Sequence, residues 1–106
     1  MPRRLAAFAC ALLLATNAAA VELGSESVGK DYAQRICAAC HDIEKDDVAL
    51  FTDVPSFQEI ADTQGMSPLA LRVWLQTSHP NMPDLIIPPD DMDNVIAYIM
   101  SLRTPK

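Results

Sequence analysis

The sequence predicts an all-α fold of three main helices and one short helix, and three observations carry that prediction. Apolar residues recur at three- and four-residue steps in three separate stretches. Serine, proline and aspartate stand where those stretches begin, as helix starts require. No stretch alternates apolar and polar residues in the way a half-buried strand would.

The first helix is expected from about Ser27 to Ala39, with Val28, Tyr32, Ala33, Ile36, Cys37 and Cys40 forming its apolar face. A shorter helix runs from Pro55 or Ser56 to Asp62. The third spans Ser67 to Thr77: Ser67 caps it, Pro68 occupies its first turn, Leu69, Leu71, Trp74 and Leu75 supply the apolar side, and His79-Pro80 ends it. The last begins near Asp90 or Asp91, whose carboxylates suit the positive end of a helix, and buries Val95, Ile96, Tyr98, Ile99 and Leu102.

Ahead of these lie Arg3 and Arg4, an apolar run from Leu5 to Ala15, and the small residues Ala18, Ala19 and Ala20. The run is shorter than the ~20 residues of a membrane-spanning helix. Residues 1–20 therefore read as a secretory signal peptide cleaved after Ala20 into the periplasm, and 21–106 as one domain with no membrane span. Cys10, inside the run, is a bland apolar residue.

Cleavage removes two of eight basic residues and none of the 14 acidic ones, so the formal charge goes from −6 to −8. The remaining cations are scattered among carboxylates, which excludes nucleic acid as a partner and gives no support to a membrane-surface role. The acidic segment from Asp42 to Asp53 reads as a solvated loop, with a patch for a basic partner as the sharper alternative. A domain of this size buries too little surface to be comfortably stable without a staple.

Cys37-Ala38-Ala39-Cys40-His41 supplies one, since C-x-x-C-H is the attachment signal of c-type haem. Two thiols three residues apart can add across the two vinyl groups of one ring edge, and the next residue, His41, falls under the iron. A redox dithiol would need a strand–helix context that is missing here. Zinc would need more Cys or His than His79 offers, and a disulfide across so short a loop would stabilise little.

The opposite face of the iron has several candidates. Met66, Met92 and Met100 sit before or within helices, where methionine usually fills gaps. Met82 lies instead in His79-Pro80-Asn81-Met82-Pro83, where prolines restrict the backbone between two helices. A thioether is soft and neutral, favours ferrous iron and fills the coordination site, so His41 with Met82 makes an electron shuttle. His79, or an open site, is the rival.

With these residues in view, Gly29 to Leu102 resembles the class I cytochrome c family, in particular its short bacterial single-haem carriers. Gly29, eight residues before Cys37, matches the glycine at which the family's terminal helices cross, and Tyr32-Ala33 matches the aromatic-plus-small pair beside it. Val95-Ile96-Ala97-Tyr98-Ile99 is similar to the C-terminal helix, with Val95 and Tyr98 expected to face the crossing. The resemblance implies that the carbonyl of Pro55 accepts the ring N–H of His41, and that Trp74 and Leu75 face the haem. Two departures stand out: a long stretch between His41 and Pro55, and carboxylates where mitochondrial relatives carry a lysine ring.

The expectation is a periplasmic single-electron carrier, not an enzyme, holding one covalent haem c and its iron and serving redox partner proteins, with a basic docking surface on the partner as the expected match to the acidic charge. The alternatives are a haem subunit of a larger dehydrogenase or oxidase, and a small sensor or peroxidase-like protein with an open sixth site.

Overall fold

The computed structural model describes residues 24–46, 53–77 and 81–105. The expected leader and its cleavage point, Cys10, His79 and the middle of the acidic segment lie outside the described residues. Within them are four helices and no strand: α1 (Glu26–Ile36), α2 (Phe57–Asp62), α3 (Pro68–Gln76) and α4 (Pro89–Ser101).

α1 starts at Ser25, whose hydroxyl accepts a hydrogen bond from the Val28 amide at 3.3 Å. It ends at Ile36, earlier than expected: the Cys37 amide still makes the helical bond to the Ala33 carbonyl at 2.8 Å, but the Ala38 amide reaches back to that same oxygen at 2.9 Å instead of to Gln34. The buried stripe is Gly29, Tyr32 and Ala33, at i, i+3 and i+4, while Val28 and Ile36 are exposed. The expected apolar face was therefore too wide.

α2 opens on a reciprocal cap. The Ser56 hydroxyl accepts from the Glu59 amide at 3.1 Å and the Glu59 carboxylate accepts from the Ser56 amide at 2.7 Å. α3 has Ser67 as its cap and Pro68 in its first turn. It buries Leu71 but leaves Leu69 71% exposed, so Leu69 is not part of its inner face. α4 begins at Pro89, with Asp90 and Asp91 in its first turn beside amides that have no side-chain cap.

The core is the face of α4, comprising Met92, Val95, Ile96, Tyr98 and Ile99, pressed against α1 and flanked by α2 and α3. The closest approach is at Gly29, where a Cβ would run into the main chain of Asn94 and touch the Cβ of Tyr98 at 3.0 Å. Tyr98 thus faces the crossing as expected, the main chain of Asn94 comes closer still, and Val95 is almost wholly buried in the core. A Cβ on Gly24 would likewise meet Asp93 and Asn94. The Asn94 side chain then accepts from the Ser25 amide at 2.7 Å, fixing the start of α1 on α4.

Two further ties hold the periphery. The buried hydroxyl of Tyr98 donates to the Ile43 carbonyl at 2.6 Å, joining α4 to the segment after His41. After α4, Arg103 donates to the carbonyls of Ala61 (3.2 Å) and Met66 (2.7 Å), and Thr104 donates through its amide and hydroxyl to the Asp62 carboxylate at 2.7 Å each.

Candidate functional site

The segment after α1 continues as a tight turn. The Cys40 amide donates to the Cys37 carbonyl at 3.1 Å and the His41 amide to the same oxygen at 2.9 Å. This places His41 one turn beyond Cys37. Cys37 packs against the core, and burial pushes its thiol up to about 11. Cys40 is exposed, and both thiols are unbridged.

The His41 ring is fixed by its neighbours. Its Nδ1 lies 2.7 Å from the carbonyl oxygen of Pro55. A carbonyl can only accept, so Nδ1 carries the hydrogen and Nε2 keeps the lone pair that a metal would use. The ring also lies against Phe57, with centroids 5.5 Å apart at 49°. Phe57 in turn donates its amide to the Asp42 carbonyl at 2.9 Å, so the residues just after His41 and the first turn of α2 form one unit.

A second group forms between α3 and α4. Leu75, Met82, Pro83, Leu85, Ile86, Ile87 and Met92, with the polar Gln76, Thr77 and Asp84, line a cleft of about 430 Å3. Met82 is half-buried, and the residue before it, Asn81, has φ 68°, a left-handed conformation that asparagine tolerates better than most residues. Trp74 adjoins Leu75 on α3 and is 51% exposed. Leu75 and Cys37 both pack against the common core.

These residues fit a haem: two free thiols a turn apart, an imidazole whose tautomer leaves Nε2 available, and a cleft of mixed polar and apolar lining that contains a thioether. Among the described residues, no three His, Cys, Asp or Glu side chains gather as a metal-binding group, so a zinc site finds no donor set there. The family model for cytochrome c matches residues 27–103. The chain belongs to the cytochrome c family. Cytochrome c-552 of Bradyrhizobium diazoefficiens is 32% identical over 95 residues, covering 89% of this chain and 91% of that protein. No solved structure gives a significant match.

Membership establishes this cytochrome as a class I, all-helical, electron-transfer protein rather than an enzyme, with covalently bound haem c and iron, working with redox partner proteins. Among the described residues no helix is long and apolar enough to cross a membrane. Phe57 against His41 and Asn81 before Met82 were not singled out from sequence. Ser-x-x-Glu at Ser56–Glu59 was the available signal for the first, since it fixes where α2 starts.

Proposed function

We propose that this cytochrome is an exported, periplasmic single-electron carrier, with haem c joined to Cys37 and Cys40 and its iron held by His41 and Met82. Bound haem supplies a reversible ferric–ferrous change at its iron. The protein's part would be to hold that iron through Nε2 of His41 and the thioether of Met82, with Leu75 and its neighbours keeping water away. The observation that carries the reading is the 2.7 Å contact of His41 Nδ1 with Pro55, because such bonds set a ligand's tautomer and raise its basicity. Arg3, Arg4, the apolar run after them and the alanines up to Ala20 support export, with 21–106 as the mature domain.

The experiment is visible spectroscopy of the exported protein, made alongside a haem c maturation system, and of Met82→Ala. The parent should show low-spin bands with the weak sulfur-to-iron band when oxidised. The variant should lose that band, fall in potential and bind added carbon monoxide. A variant indistinguishable from the parent would remove Met82 from the iron and return the site to His79 or an open position.

A further inference from the structure

A second cleft, of about 400 Å3, opens between the start of α1, the first turns of α3 and the later turns of α4. It shares no lining residue with the Met82 cleft. Pro68, Leu69, Ile96, Ala97 and Met100 supply its apolar lining. Its polar lining includes Glu26, Ser101 and the Arg72–Asp93 pair, whose charges offset one another. Leu69 stands 71% exposed there, and Leu71 is the one residue that α3 buries, so α3 is thinly attached to the rest of the protein.

Gly24 is also a wall of this cleft. The main chain of Asp93 and Asn94 lies where its Cβ would be, and the next amide, of Ser25, donates to the Asn94 side chain at 2.7 Å. The chain is therefore pinned to α4 at the edge of the cleft. The three residues before this point are Val21, Glu22 and Leu23. Fully extended, three residues reach roughly 10 Å, which matches the span of a cleft this small. An extended backbone turns alternate side chains to one face, so Val21 and Leu23 would share a side and Glu22 would take the other. That order of apolar, acidic, apolar suits a cover that puts two aliphatic side chains on an apolar floor and its carboxylate in water.

We propose that Val21-Glu22-Leu23 is a strap that seats in this cleft, with Leu23 against Leu69, and so ties α3 to α1 and α4. The inference rests on the export reading, since cleavage after Ala20 makes Val21 the first residue and the strap three residues long. The haem site shares in the consequence. α3 carries Leu69 at its start and Leu75, a wall of the Met82 cleft, near its end, so the strap braces that wall from the other end of the helix.

The test uses exported holoprotein, whose intact mass first reports whether residues 1–20 are gone. Parent, Leu23→Ala, Leu69→Ala and the double variant are then compared by thermal melting and hydrogen exchange. Each single truncation should lower the midpoint by about 4–8 °C. The double variant should fall by clearly less than the sum, because each side chain has already lost its contact when the other is cut. Exchange over α3 should quicken in Leu23→Ala while that over α2 stays as in the parent. Truncating an exposed leucine that touches nothing leaves stability nearly unchanged, so a Leu69→Ala midpoint equal to the parent's would overturn the proposal. Strictly additive losses would do the same. Midpoints that rise with protein concentration would give the cleft to a second copy of the chain, and that too would overturn it. Retention of residues 1–20 would be a failure of the export reading alone: Leu23 and Leu69 are present in either form, and their coupling still decides the seat.

Discussion

Gly29 of α1 lies against the main chain of Asn94 in α4 with no space for a Cβ between them. The obstruction is backbone, which cannot swing aside as a side-chain end can. Gly29→Ala should therefore push the helices apart and cost about 3 kcal/mol, the upper range for overpacking. Thermal melting of the holoprotein should show a midpoint lower by more than about 10 °C. A shift of only a degree or two would mean that the crossing is slack.

Asn81 adopts φ 68° directly before Met82. Asn81→Gly should keep both the fold and the thioether in place. Asn81→Val demands a left-handed β-branched residue, at a cost of about 1–2 kcal/mol, which the loop can escape by turning Met82 out of its cleft. The sulfur-to-iron band of the oxidised protein should persist in the glycine variant and weaken in the valine variant. Equal bands in both would mean that the backbone at Asn81 does not position the thioether.

The Thr104 hydroxyl and amide donate to the Asp62 carboxylate, and those bonds hold its pKa below the ordinary aspartate value. A depressed folded-state pKa contributes stability that is complete above the unfolded value and is lost as pH falls through the folded one. Acidifying below about pH 4 should thus loosen the C-terminal segment from α2. Hydrogen exchange at the Thr104 amide should quicken over that range in the parent, while Asp62→Asn should show a flatter pH response. Identical pH profiles would remove Asp62 from the clasp.

Much of this architecture was legible locally. Ser67 caps α3 as expected, Ser56 stands at the start of α2, and the spacing of Val95, Ile96, Tyr98, Ile99 and Leu102 marked the face that α4 buries; α1, expected from Ser27, is capped two residues earlier by Ser25. The attachment motif is contiguous, so it could be read without any fold. What escaped depends on residues distant in the chain. Asn94 reads as a polar helix residue until Ser25 is brought beside it, and Arg103 and Thr104 read as a loose end until their partners on and after α2 are known. The width of the α1 face was overestimated for the same reason: α4 covers only the stripe through Gly29 and Tyr32, leaving Val28 in solvent.

The contacts His41–Pro55 and Asp42–Phe57 sit side by side and close the base of everything from Ile43 to Val54. Ile43, next along the chain, is buried and accepts from the Tyr98 hydroxyl, so this base is anchored to α4 as well. The base is in this sense a bearing: contacts to α2 and α4 fix the tautomer and aim of the imidazole, so both are set by the fold rather than by the attachment motif itself.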